Sequence, residues 1–465
     1  MTTYQDLLLV NDNDKDRAQF VRSFITSHKR SDAYKTAQIA EDYDRSQNTT
    51  ITNYQKTITA VTGEQVADRF SATHRSCTNF YHINITQLSQ YLLGNGAMLK
   101  DSTVKKLGDD FDNRLQQIGE SALCGGSAFG FFNLDHVEAF SLLDFAPLYD
   151  EETGSLKAGV RFWQIDKNKP LRATLFELDG YTDYMFTSRK EEPNGWDRID
   201  KGIYMQPKKA YKVTISRTEA EGTIDVQGGA YPDFPIIPMY ANKYRQAEIV
   251  GMREKIDAYD FILNGFEDDL DNAQLYWIIQ GAGGMLDPDL QQFLERLKTV
   301  KAAAPGDGQS VTPVQVEIPY AAREALLDRL EKQLYKDAML MNPEDIASGA
   351  VTATQIRAAY ERQNNKADQF EYQVLDFCDA LFKVAEVDDE PTFTRSTIVN
   401  TQEEINGVIM AAPYTGDDYT RKKLLTLLGD GDKYDEITAQ LEADGIDRIT
   451  PEQPEEEQEQ PKTEV

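Results

Sequence analysis

Apolar positions recur at helical spacing in four stretches of the chain. "NITQLSQYLLGNGAMLK" carries Ile85, Leu88, Leu92 and Leu93 before a Gly-containing break, and residues 1 to about 120 read as mostly helical and polar. In "AEIVGMREKIDAYDFILNGFEDDLDNAQ", Ile249, Met252, Ile256, Tyr259, Leu263, Phe266 and Leu270 share one stripe. Glu254, Asp257, Asp268 and Asp271 are left to its other faces. A third stretch, "AAREALLDRLEKQLYKDAMLM", brings Leu326, Leu330 and Leu334 into register. The longest runs from about Thr352 to Val387, where Ile356, Tyr360, Ala367, Phe370, Val374, Phe377, Leu381 and Val384 alternate steps of three and four with one omission at Gln363. Such a helix is ~50 Å long, more than a small globular core needs, and suits an element that packs against neighbouring copies.

The character of the chain changes between about 125 and 240. "SAFGFFNL", "AGVRFWQID", "LRATLFELDG", "YTDYMFTSRK" and "AYKVTIS" are short aromatic and β-branched runs separated by "EETGS", "DKNKP" and "EEPNGWD", which predicts antiparallel strands. "PDFPIIPMYANKY" closes the region, its three prolines forbidding a helix across them. A compact mixed unit is expected between the second and third helical stretches. It has "LYWIIQG" as a strand, "DPDLQQFLERLKTVKAA" as a helix capped by Asp287, and "VTPVQVEIP" as a second strand.

"MNPEDIASGAVTATQ", residues 341–355, interrupts the last two helices. Pro343 cannot continue a hydrogen-bonded helix, Gly349 with its Ala and Ser neighbours permits a low-profile loop, and Thr352 or Thr354 is placed to cap the next helix. An ordinary helix–helix linker would also fit these residues. The chain ends in "ITPEQPEEEQEQPKTEV", charged and without aromatic residues, which cannot bury enough surface to fold alone.

With 465 residues, two to four lobes are expected. Against 49 Lys and Arg stand 78 Asp and Glu, a net charge of −29, which disfavours a nucleic-acid binder that works by neutralising phosphate. Cys77, Cys124 and Cys378 are odd in number and far apart, so they predict neither a disulfide framework nor a CxxC metal site, and a reducing compartment fits best. The N-terminal "MTTYQDLLLV" has no basic segment ahead of an apolar run, and no stretch reaches the length of a membrane span. A soluble protein, intracellular when made and without a membrane partner, is the expectation.

Catalytic signatures are missing from the sequence. There is no GxxxxGK[ST], so any ATP-driven work would come from another protein, and no HExxH. His136-Val137-Glu138 begins like a zinc-deaminase motif, but no PCxxC comes after it. "CGGSAFG" has Phe129 where a nucleophile elbow needs its second Gly, so a turn into a strand explains it better. "NDNDKD" and "GDGDKYDE" lack the Gly and the bidentate Glu of a calcium loop and read as solvated surface. His28, His74, His82 and His136 are scattered. Neither enzyme activity nor a cofactor is expected.

The succession of elements, with its local wording, resembles the portal proteins of tailed bacteriophages, in particular the siphophage type. "GGSAFGFFNLD" followed by "LLDFAPLYDEETGSLKAGVRFWQID" looks like the family's wing hairpins, and "FPIIPMYANKYRQAEIVGMREKIDAYD" is similar to its entry into the first stem helix. "LDNAQLYWIIQGAGG" resembles the entry to the clip, and "ASGAVTATQIRAAYERQ" the passage from tunnel loop into the long wing helix. The likeness covers about residues 85 to 400.

The resemblance implies an α+β portal-protein fold: a helical and β-rich wing, a two-helix stem, a small α/β clip, a long wing helix and a helical crown. By it, residues 1–245 would be wing, 246–274 the first stem helix, 275–320 the clip, 321–341 the second stem helix and 342–353 the tunnel loop. The long wing helix and its return would take 354–400, the crown 401–450, and a disordered acidic tail 451–465. It implies a ring, typically dodecameric, at one capsid vertex of the virion, assembled in the host cytoplasm, with double-stranded DNA passing through it for packaging and ejection. The implied partners are further copies of the chain, the terminase large subunit, a head–tail adaptor, and the major capsid and scaffolding proteins. Asn342, Pro343, Glu344, Asp345, Ile346, Ala347, Ser348, Gly349, Ala350 and Val351 would face the DNA. Two other readings stay open: a head–tail connector or capsid-associated protein without a DNA channel, and a metal-dependent enzyme acting on nucleic acid through its carboxylates.

Overall fold

The computed structural model describes residues 2–10, 13–59, 64–68, 72–188, 193–217, 224–272, 277–280, 310–313, 319–342, 353–396, 401–428 and 433–443. The chain divides into two units, Met1–Asn342 with Arg362–Ser396, and Pro343–Glu361 with Thr397–Val465. Helix and sheet are mixed, as the coarse class α+β requires.

In the first unit, α1 (Tyr4–Leu9), α2 (Asp14–Arg30), α3 (Asp32–Asp44), α4 (Thr49–Thr52), α5 (Phe80–Leu93), α6 (Asp101–Leu107) and α7 (Phe111–Gly125) precede the sheets; β1 (Thr57–Thr59), β2 (Gln65–Ala67) and β3 (Ala97–Met98) lie among them. α2 shows how such a helix is specified. Asn13 caps it by accepting from the Lys15 amide at 3.0 Å, Asp14 and Asp16 occupy the positive end, and Lys29 and Arg30 the negative one. Its Ala18, Val21, Phe24 and Ile25 face inward at helical spacing.

The surface they cover is an antiparallel sheet. It is built from β6 (Phe145–Tyr149), β7 (Leu156–Trp163), β8 (Leu171–Glu177), β9 (Gly180–Phe186), β10 (Asp197–Asp200) and β11 (Ile203–Met205), in the order β10-β11-β9-β8-β7-β6. Leu148, Val160, Phe162, Leu175, Tyr184 and Ile203 complete that core. A second sheet holds β4 (Ser127–Asn133) between β5 (His136–Ser141) and β14 (Ile236–Tyr240), while β12 (Lys212–Arg217) and β13 (Ile224–Gly229) form a separate hairpin. Pro238 sits in β14 opposite Phe129, tolerable because β14 is an edge strand.

Gly126, at φ +87°, caps α7 and turns the chain into β4, the turn into a strand expected of "CGGSAFG". A Cβ there would meet the backbone of Arg245 to Ala247 within 3.1 Å, so this glycine also lets the approach to the next long helix pass close by. His136 opens β5 and pairs with Asp135 at 2.8 Å.

Two long helices come next, α8 (Arg253–Asn272) and α9 (Tyr320–Asp337), with β15 (Trp277–Gln280) pairing antiparallel to β16 (Ser310–Pro313) between them. The expected helix capped by Asp287 lies outside the described residues. α8 starts later than its apolar stripe predicts: Ile249 and Met252 are buried, but Gly251 at φ +87° holds them in turns ahead of Arg253.

α9 also stops short, at Asp337 rather than 341. Met339 adopts φ +57°, its amide bonds the Lys336 carbonyl, and the Leu340 amide bonds that of Tyr335, a Schellman closure with Met in the position usually taken by Gly. α10 (Ala353–Ala385) is the long helix, and Glu386 at φ +55° closes its end in the same way, with Val387 bonding Phe382. β17 (Thr392–Phe393) then pairs with β3. The second unit contains α11 (Thr401–Thr415), α12 (Asp417–Leu428) and α13 (Tyr434–Ala443), with buried Thr420 bonding back to the Gly416 carbonyl at 2.8 Å. Residues 444–465, including the acidic tail, lie outside the description.

Candidate functional site

The break after α9 is entered from a fixed point. Met341 is buried, its amide donates to Gln363 Oε1 at 3.2 Å, and its carbonyl accepts from Gln87 Nε2 at 3.0 Å. Gln87 also donates to Gln363 at 3.2 Å, so α5 and α10 together hold both backbone groups of one residue. Lys366, one turn beyond Gln363, donates to the Ala338 carbonyl at 2.9 Å and pairs with Glu248 at 2.6 Å, with both side chains largely buried. Gln363 is the one interruption in the apolar stripe of α10. It is 1% exposed, so the missing apolar residue is a buried polar contact to the chain just ahead of the break.

Of the residues expected to face DNA, the structure places Asn342, which is buried directly after this clamp. Pro343, Glu344, Asp345, Ile346, Ala347, Ser348, Gly349, Ala350 and Val351 lie outside the described residues.

α8 carries a second polar arrangement that the sequence pattern missed. Asp257, Asp260, Asn264 and Asp268, separated by three and then four residues, lie on one side of the helix. Asp260, Asn264 and Asp268 are buried. The groups they bind come from the N-terminal part of the chain. Tyr43 donates to Asp257 at 2.5 Å; burial, then this bond, push its hydroxyl up to about 12. Asp260 accepts from Asn48 at 2.7 Å and from the Thr78 amide and hydroxyl at 3.1 and 2.8 Å. Burial raises the Asp260 carboxyl above the ordinary carboxylate value against these bonds.

Asn264 reads both backbone groups of Ser76, accepting from its amide at 2.6 Å and donating to its carbonyl at 2.8 Å. Asp268 accepts from the His74 amide and ring at 2.8 Å each and from Lys56 at 3.3 Å. Burial opposes charge on Asp268, but the His74 and Lys56 donors outweigh it and lower its pKa. Asp257 and Asp268, assigned by pattern to faces away from the core, are therefore part of a packed polar seam. Partners about 180 or more residues distant leave no local signal.

α8 and α9 form a helix pair joined by Phe266 against Tyr320 at 5.6 Å, Arg323 with Asp269 at 2.5 Å, and Lys255 with Asp337. Within α9 only Leu334 is buried, and Leu326 and Tyr320 are 44% and 53% exposed. Among the described residues, no group of three His, Cys, Asp or Glu side chains is arranged to hold a metal ion, and no helix is long and apolar enough to cross a membrane.

Two relatives match this chain, one over most of its length and one over about a third. The portal protein of Bacillus phage SPP1 is 23% identical over 380 residues, 75% of this chain and 72% of that protein. The portal protein of Clostridium phage phiCD119 is 25% identical over 181 residues; the match spans 37% of this chain and 40% of that relative's length. Solved structures are more distant. A chain in the neck of an empty gene transfer agent particle gives a TM-score of 0.41 at 11% identity, covering 75% of this chain and 90% of that one. One in the neck of the native particle gives 0.39 at 12%, covering 74% and 89%. Residues 11–416 match the family described as phage portal protein, SPP1 Gp6-like, and with so much of its length matched the chain belongs to that family.

Proposed function

We propose that copies of this chain assemble into a ring, of twelve subunits, at one capsid vertex, and that double-stranded DNA passes through its channel during packaging and ejection. The family match over residues 11–416 carries this reading: a portal protein is a structural component of the phage particle and not an enzyme. Within the ring, α8 and α9 would be the stem helices, 275–320 the clip that docks the terminase large subunit and later the head–tail adaptor, and 342–353 the tunnel loop. The wing would take 1–245, the long wing helix and return 354–400, and the crown 401–450. The major capsid and scaffolding proteins would meet the ring's outer surface.

Two physical features support it. The exposed length of α9, with Leu326 and Tyr320 uncovered, is what a neighbour in a closed ring would cover. With −29 on every copy, a channel lined in proportion to the chain's composition would repel phosphate and let duplex slide. Negative-stain imaging of the purified protein tests the ring: twelve-fold particles with an axial hole are expected, and a monomer or a solid lattice rules against it. For the loop, Glu344→Lys is expected to slow DNA translocation in a packaging assay, and unchanged packaging removes the tunnel-loop assignment.

A further inference from the structure

The chain segment from His74 to Thr78 lies along α8 and is held almost wholly by side chains of that helix. Each end gives a backbone amide and a side-chain donor to one aspartate, Thr78 to Asp260 and His74 to Asp268, but of the two side chains the imidazole alone changes charge with pH. At one end Thr78 is fixed to Asp260, which is fully buried, and in the middle the Asn264 amide pairs with both backbone groups of Ser76 as a neighbouring strand would. At the other end His74 lies between two carboxylates. Its Nδ1 is 2.8 Å from Asp268 Oδ1 and its Nε2 is 3.3 Å from Asp271 Oδ2.

A neutral imidazole carries one N–H, so it can donate to only one of these carboxylates and turns a lone pair toward the other. Only the cation donates to both. We propose that residues 74–78 form a pH-gated strap on α8, closed while His74 is an imidazolium and opening from the His74 end when that proton leaves. The charged groups around His74 are Asp268, Asp271 and Glu267 on α8, Lys56 ahead of β1, and Arg75 in the strap itself, which donates to the Tyr54 carbonyl at 3.2 Å. The carboxylates outnumber the cations.

The titration agrees in direction. The bond to Asp268, then Asp268, Asp271 and Glu267 as charges, raise His74 above its ordinary 6.5 against the cost of partial burial. A raised base stabilises the closed form fully below 6.5, and that contribution disappears as pH climbs through the raised value. Asp268, lowered from 3.8, contributes above 3.8 and is lost only as pH falls through its own depressed value. The strap is therefore tightest between these limits, and raising the pH loosens one end alone. This inference concerns the single chain and stands apart from the ring.

Hydrogen–deuterium exchange of overlapping peptides from 72–79, in the intact protein and corrected for intrinsic rates, reads the strap from about pH 6 to about pH 9. Protection of the His74 and Ser76 amides is expected to fall severalfold across that range while Thr78 stays protected. His74→Gln should be weakly protected and flat with pH, and His74→Lys, which keeps a cation, flat and better protected. Asp271→Asn, an exposed change that leaves the fold intact, should move the wild-type loosening to lower pH. A flat wild-type profile, the same profile in His74→Gln, or equal loosening at Thr78 overturns the proposal.

Discussion

Gly159 in β7 lies beneath the ring of Phe145, where a Cβ would come 2.0 Å from Cζ. That ring cannot retreat, because Phe129 and Phe140 stand 4.6 and 5.9 Å from it and all three are buried. The same cluster joins the β4–β5 sheet to β6 and β8 through Phe140 and Phe176 at 6.2 Å. Gly159→Ala is therefore expected to cost about 1–3 kcal/mol by overpacking, read as a lower midpoint in chemical denaturation. Glu177 at the end of β8 gives a second case. It pairs with Arg17 of α2 and with Lys208 at 3.0 Å, and its side chain and that of Arg17 are 9% and 11% exposed. Glu177→Ala removes the carboxylate that the nearly buried Arg17 and Lys208 share and should lose about 3 kcal/mol, read as a lower midpoint in chemical denaturation. A variant as stable as the parent would show that water reaches Arg17 freely.

At the scale of elements, α10 packs by fitting rings over glycines. Phe370 sits 3.5 Å from where a Cβ of Gly119 in α7 would be, and Phe377, two turns on, overlaps the Cβ position of Gly130 in β4 at 2.5 Å. Phe377→Ala should cost about 3–5 kcal/mol, because backbone-lined space cannot collapse to fill it. The stripe that predicts α10 is legible because burial tracks its 3.6-residue period through Ala367, Phe370, Val374, Phe377 and Leu381. Helix ends are less legible. Reading to 341 and to Val387 overshoots because the left-handed stops are Met339 and Glu386, residues that carry no stop signal.

Replacing Glu386 by Gly should raise stability by about 1 kcal/mol in thermal unfolding, since an exposed side chain gives up left-handed strain at small loss of contact. The break after Met341 is readable from Pro343 and Gly349, whereas its clamp is visible only as the gap at Gln363. The Asp and Asn seam of α8 is hidden for a different reason. Carboxylates at helical spacing read as solvated by default, and nothing local to α8 names Thr78, Ser76 or His74 as their partners.

For the whole molecule, the ring proposed above would set two forces against each other. Every copy carries −29, so bringing copies together would cost electrostatic repulsion, while covering the exposed apolar residues of α9, if they form the proposed contact, would favour it whatever the salt. Repulsion between exposed charges reaches about 30 Å at 0.01 M ionic strength and about 8 Å at 0.15 M, so added salt weakens the opposing force and leaves the favourable one in place. Sedimentation velocity at fixed protein concentration should therefore show the large species growing from about 10 mM to about 150 mM salt, with the small species declining in step. A ring held instead by ion pairs between copies would dissociate over the same range. That outcome would overturn the proposed contact through α9 in favour of charged faces elsewhere on the chain, and it would require basic clusters that survive the overall acidity.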